Sequence, residues 1–245
     1  MTRIAIIGGT GLTRLPDFSI VRRAVVSTPY GTPSADLVYG RFHGQDVVFL
    51  ARHGDPHTIP PHKVNYRANL SALKQVGIER VVAVAAVGGI RADMGPGVLT
   101  VPDQIIDYSY GRAHTFFEDG LEHVTHIDFT RPYNETLRQK LLGAAQATGI
   151  PMVDGGTYGC TQGPRLETAA EIARMERDGC ALVGMTGMPE AALAREAGLD
   201  YACCAVVANW AAGKVEGEIT LADIEANLQR GMADLAVVLK RFISG

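Results

Sequence analysis

The sequence predicts an α/β protein with a central sheet flanked by helices, and three observations carry that expectation. Short β-branched runs alternate with segments of helical composition along the whole chain, the pattern of interleaved strands and helices rather than of separate β and α halves. The length of 245 residues suits one large α/β domain. No repeat, low-complexity tract or linker interrupts it, so residues 1–245 read as a single domain.

Taken in order, Ile4 to Ile7 and Val47 to Ala51 are short apolar runs rich in β-branched residues, as buried strands are. Asn65 to Gln75 has helical composition, and Val81 to Val87 is a further buried strand. From Asp107 to Pro132 no period holds. That stretch is rich in His, Asp and aromatics, and a loop of such length in a compact domain is usually functional. Tyr133 to Ala147, Glu167 to Arg177 and Pro189 to Ala197 read as helices, some with glycine at or just beyond the end. Ala181 to Gly184 and Ala202 to Ala208 read as strands. The last helix is the clearest element: Ile224, Leu228, Met232, Leu235, Leu239 and Phe242 recur every three or four residues, and that face must pack on the body.

Composition narrows the class of function. Apolar residues make up 47% of the chain and charged residues 20%, the balance of a folded globular protein rather than a disordered one. The net charge is −3 and the basic residues form no stripe or tail, so no nucleic-acid partner is expected. Val81 to Val87, the longest strongly apolar run, falls far short of the roughly 20 residues that span a bilayer. The N-terminus shows no basic region leading into an apolar core, and a cytoplasmic protein without membrane contact is expected. Cys160, Cys180, Cys203 and Cys204 have neither CxxC spacing nor the density of a disulfide framework; they read as reduced thiols, with no metal site.

Three strand ends carry anion donors. Gly8, Gly9, Thr10, Gly11 and Leu12 follow the first strand, and such glycines let backbone N–H groups approach an anion while Thr10 adds a hydroxyl. Alone this is equally a tight strand-to-helix turn, because Arg14 stands where a dinucleotide motif needs its third glycine. Ala51-Arg52-His53-Gly54 ends another strand, with a guanidinium and an imidazole suited to phosphate or, as readily, to a cluster of carbonyls. Gly184-Met185-Thr186-Gly187 closes a third. Ligands of open α/β sheets gather at strand ends, so the three strengthen one another.

With Thr28-Pro29-Tyr30-Gly31, His57-Thr58, Lys63-Val64-Asn65-Tyr66, Gly163-Pro164-Arg165-Leu166-Glu167-Thr168 and Pro189-Glu190, these motifs resemble, from end to end, the trimeric purine nucleoside phosphorylases and, within them, the methylthioadenosine phosphorylase branch. The resemblance implies that family's fold, a mixed twisted sheet flanked by helices, and phosphorolysis of a purine nucleoside with inorganic phosphate as co-substrate and no cofactor. It implies phosphate on Thr10, Arg52, His53, Thr186 and the backbone around Ala86, and ribose against Met185. It also implies a homotrimer in which His126 completes a neighbouring subunit's site, and an apolar 5'-methylthio pocket to which Leu221 and Ile224 contribute. The branch often has threonine where this chain has Ala85, one phosphate hydroxyl fewer.

The departures lie at the base. The methylthioadenosine branch is similar within itself in a Thr-Asp-Tyr-Asp stretch after the last strand, whereas this chain reads Ala208-Asn209-Trp210-Ala211 and lacks both carboxylates. Glu167 and Asn209 resemble the pair found in 6-oxopurine-specific phosphorylases. Chemistry agrees: a 6-oxopurine presents an N1–H that an ionised Glu167 accepts, while adenine presents a lone pair there. Asn209 has a donor and an acceptor for N7 or O6. Glu167 has a plainer reading as a helix-start carboxylate. The expected substrate is therefore a 6-oxopurine 5'-methylthionucleoside, with Glu167 and Asn209 as the catalytic pair. Other readings are a 6-amino methylthionucleoside phosphorylase, a general 6-oxopurine phosphorylase, an NADP-binding reductase, a metal hydrolase using His53, His57, His123, His126 and Asp128, and a non-catalytic nucleoside-binding module.

Overall fold

The computed structural model describes residues 3–9 and 18–245. Thr10 lies outside the described residues. Eleven strands form one sheet organised around β5 (Arg80–Gly89). Parallel to β5 run β1 (Ile4–Gly8) on one side and β11 (Asp200–Trp210) on the other. Beyond β1 stand β4 (Gln45–Ala51), β3 (Leu37–Phe42) and the edge strand β2 (Phe18–Ala24), with β3 antiparallel to both of its neighbours. At its far end β5 pairs antiparallel with β10 (Cys180–Gly184), through Gly88 and Gly89. The switch needs glycine, since a Cβ on Gly89 would lie 1.7 Å from the Met94 carbonyl oxygen. From β10 the sheet continues to β9 (Thr157–Cys160) and β7 (Gln104–Asp107), while β6 (Leu99–Val101) and β8 (Met152–Asp154) extend it from β11.

Alternate residues of β1 feed two core clusters, so the clusters lie on opposite faces of the sheet. Ala5 and Ile7 pack with Leu70 and Leu73 of α1 (Tyr66–Gln75) and Leu193 and Ala194 of α4 (Gly187–Glu196). Ile4 and Ile6 pack with Leu137 and Leu141 of α2 (Glu135–Thr148) and Leu235, Val238 and Leu239 of α5 (Leu221–Ser244). The apolar stripe of the last helix is thus the one that buries. No helix among the described residues is long and apolar enough to cross a membrane.

The expected α/β architecture and its five expected strands are present, with bounds shifted by at most two residues. Six strands, β2, β3 and β6 to β9, were not expected. β2 exposes Ile20 and Val21 and carries Arg22 and Arg23, so it shows no apolar run; β6 to β9 have three or four residues each, too few for a period to show. The helix expected from Glu167 begins at Ala169 as α3 (Ala169–Arg177). Thr168 caps it and Glu171, not Glu167, closes the capping box. Glu167 therefore stands in the preceding loop, one residue before the cap and outside the capping box.

Candidate active site

The C-terminal ends of β1, β4, β10 and β11 and the second half of β5 converge on a cavity of about 490 Å³. Gly9, Arg52, His53, Ala85, Ala86, Glu167, Met185, Thr186 and Asn209 all line it, although they are scattered over 200 residues of sequence. One wall is the apolar face of α5, with Ile224, Leu228 and Met232. Ala86 is exposed in the middle of an otherwise buried stretch of β5, because it opens onto this cavity.

Arg52 is only 2% exposed. Its Nε and Nη2 donate to the two carboxylate oxygens of Glu190 at 2.6 and 2.8 Å, and Nη1 donates to the Val84 carbonyl at 2.9 Å. A bidentate grip leaves one N–H on each of Nη1 and Nη2. Burial works against the cation, but the completely buried Glu190 outweighs it and holds the guanidinium above its ordinary range. Tyr201, whose hydroxyl is kept protonated by burial and then by Glu190, donates to Glu190 Oε1 at 2.9 Å. Glu190 thus fixes where the fork points.

His53 Nδ1 lies 2.9 Å from the Ile59 carbonyl oxygen, so Nδ1 carries the hydrogen and Nε2 is left as acceptor in the neutral ring. Burial, then the neighbouring Arg52 cation, pushes its pKa down to about 4. The ring stacks on His57 with centroids 4.5 Å apart. This pair is set by a turn rather than a helix, as Pro56 and Pro60 required. No group of three or more His, Cys, Asp or Glu able to hold a metal occurs among the described residues.

At the opposite end, Glu167 Oε1 accepts the Thr161 hydroxyl at 2.6 Å. Asn209 sits beside a register shift in β11 and donates one amide hydrogen to the Trp210 carbonyl at 2.7 Å. Its oxygen and second hydrogen are left for other partners. Between the two ends, Met185 packs against Gly163, whose φ is +63° and where a Cβ would lie 2.4 Å from the methionine sulfur. Glycine is required there twice over.

Arg112, from the long irregular loop, was not singled out in the sequence and is 9% exposed. It donates to the carbonyls of Met185 and Met188 at 2.9 and 2.5 Å and to those of Thr161 and Gln162 at 3.1 and 2.8 Å. The loop is thereby fastened to the ends of β9 and β10. One expected site residue lies elsewhere: Leu221 is 77% exposed and does not line the cavity, since it is the first residue of α5 and points off its packed face. Ile219, Leu228 and Met232 join Ile224 instead. His126 is exposed in the long loop, outside the cavity lining.

Residues 3–244 match the family model described as the phosphorylase superfamily, and the chain belongs to that family. It is 57% identical over 244 residues to a probable S-methyl-5'-thioinosine phosphorylase of Pseudomonas syringae pv. tomato, covering 100% of this chain and 99% of the relative. It is 44% identical over 245 residues to a 6-oxopurine nucleoside phosphorylase of Pyrococcus furiosus, covering 98% and 91% of the two chains. Among solved structures it is similar to a methylthioadenosine phosphorylase from an antarctic soil metagenomic library, with a TM-score of 0.93, 36% identity and coverage of 99% and 85%.

Proposed function

We propose that this phosphorylase cleaves S-methyl-5'-thioinosine with inorganic phosphate, giving hypoxanthine and 5-methylthioribose 1-phosphate. One observation carries the base preference: Glu167 and Asn209 share a cavity with Arg52, His53 and Thr186, and no carboxylate stands at Asn209 or Ala211. The names of its relatives from Pseudomonas syringae and Pyrococcus furiosus support a 6-oxopurine.

The free N–H groups of Arg52, the hydroxyls of Thr10 and Thr186, the backbone at Ala86 and His53 hold phosphate for attack on C1'. Because His53 is neutral near pH 7, its Nε2 takes a hydrogen bond from a phosphate hydroxyl rather than adding a second cation. The glycosidic bond loosens toward an oxocarbenium-like sugar lying against Met185, and negative charge moves onto the purine. Asn209 at N7 or O6 and Glu167 at N1–H stabilise the departing base, and phosphate positioned in line needs no covalent enzyme intermediate. The reaction calls for phosphate as co-substrate and for no cofactor. Ile224, with Leu228 and Met232, supplies an apolar wall for the 5'-methylthio group. His126 serves a neighbouring subunit of a homotrimer in the cytoplasm under this reading.

Phosphate-dependent cleavage of methylthioinosine, methylthioadenosine, inosine and adenosine tests the proposal. Methylthioinosine is expected to be consumed fastest; faster cleavage of methylthioadenosine contradicts the reading of Glu167 and Asn209. Inosine cleaved as fast as methylthioinosine would instead favour a general 6-oxopurine phosphorylase, the activity named for the Pyrococcus relative.

A further inference from the structure

Glu167 stands in a loop and has somewhere else to go. It is a shared wall between the main cavity and an adjoining polar cavity of about 450 Å³, also lined by Thr161, Gln162, Arg165 and Arg174. A carboxylate free to rotate there could leave the base and turn into that polar cavity, where Arg165 attracts it even though its guanidinium is already paired with Glu171 and that of Arg174 with Asp178. The Thr161 hydroxyl opposes that movement. It lies 2.6 Å from Glu167 Oε1 and 3.3 Å from the Gly184 carbonyl oxygen. A hydroxyl has one proton, and the short contact to an anionic acceptor takes it.

The backbone of Thr161 is itself hydrogen-bonded on both sides. Its N–H donates to the Gly184 carbonyl at 2.8 Å, and its own carbonyl accepts from Arg112 Nη2 at 3.1 Å. The strand end below it is closed to larger residues, because a Cβ on Gly184 would lie 2.1 Å from the Tyr158 hydroxyl.

We infer that Thr161 is a positioning residue for base selectivity: its hydroxyl ties down Oε1 and so holds Glu167 as a fixed acceptor, with Oε2 left for the ring N1–H. This deepens the proposed function and rests on it. A held carboxylate discriminates in both directions. It accepts from the N1–H of a 6-oxopurine and repels the N1 lone pair of a 6-aminopurine, whereas a carboxylate able to swing into the polar cavity escapes the repulsion and forfeits the bond. Thr161 touches no substrate atom under this inference, so its effect must appear as a ratio between substrates rather than as a general loss.

The test measures kcat/KM for methylthioinosine and methylthioadenosine in the parent enzyme, T161V, T161S, E167A and T161V/E167A, with thermal unfolding of each as the check on folding. In T161V the preference for the 6-oxo substrate is expected to fall about tenfold or more, the worth of a hydrogen bond to a charged group. T161S, which keeps the hydroxyl and is the smaller perturbation, is expected to retain the parent preference to within about threefold. In E167A the added T161V change is expected to move the ratio by less than about twofold, because the two act as one unit.

A T161V preference equal to the parent's, beside a collapsed preference in E167A, overturns the role of Thr161 and leaves that of Glu167 standing. T161S as impaired as T161V overturns it too. An E167A enzyme with the parent's preference, or a parent that favours methylthioadenosine, overturns both the inference and the base reading beneath it.

Discussion

The two ends of the cavity are built on different principles. At the end proposed to hold phosphate, Arg52 and Glu190 are 2% and 0% exposed, joined by two short charge-assisted bonds and braced by Tyr201. At the end proposed to hold the base, Glu167 and Asn209 are half-buried, on a loop and beside a strand irregularity, and the bonds identified for them are single ones to Thr161 and the Trp210 carbonyl. A buried ion pair is costly to break and tolerates no half-measures. Single hydrogen bonds can be exchanged one at a time. Under the proposed function, this separates a buried, doubly bonded grip on the common co-substrate from a reader of the base held in place by single hydrogen bonds.

The sharpest way to break this contrast is at Glu190. Replacing it by alanine strands a buried guanidinium and is expected to cost about 3–5 kcal/mol of stability. Urea unfolding measures the loss; the phosphate KM should rise with it, while Glu190→Gln, which still accepts at one oxygen, should suffer less. An alanine variant as stable as the parent would show that the phosphate end is no more rigid than the base end. Next comes Asn209→Ala, expected to lower kcat on methylthioinosine about 10²–10³-fold, as loss of a transition-state donor does. Unchanged phosphate KM in the same assay would keep the two ends separate, and a matching rise would merge them.

Gly163→Ala sharpens the region between. It forces a left-handed backbone on alanine and a shift of Met185, for about 1–2 kcal/mol, read as a raised nucleoside KM. An unaltered KM would detach Met185 from the sugar. The smallest effect concerns pH. The unfolded chain takes a proton on His53 near pH 6.5 and the folded chain only near 4, so the unfolded state binds more protons in that window and stability falls as pH drops through it. His53→Gln should flatten this part of the stability curve; a variant with the parent's full slope would assign the slope to other groups.

Much of this was legible in the sequence, and the reasons differ by element. The long buried strands announced themselves because unbroken apolar runs reflect burial on both faces, as in β5 and β11. β2 was hidden by its exposure, and β6 to β9 by their brevity. Among the expected site residues, Arg52, His53, Met185, Thr186 and Asn209 at described strand ends do converge on one cavity, because the fold brings those ends together whatever lies between them. What the sequence concealed were the partners. Arg52 and Glu190 are 138 residues apart and no local spacing links them; Arg112 sits in an aperiodic loop, and its work is done on backbone carbonyls, which carry no sequence signal. Leu221, which only the resemblance put in the methylthio pocket, is the exposed first residue of α5, and Ile224 one turn later is the residue that lines the cavity.

The division of labour is tested most directly by installing both missing carboxylates, Asn209→Asp with Ala211→Asp, and measuring base preference and phosphate KM in the same enzyme. The expected result is a preference moved toward methylthioadenosine with a phosphate KM close to the parent's. An unmoved preference, or a phosphate KM that shifts as much as the preference does, would contradict it.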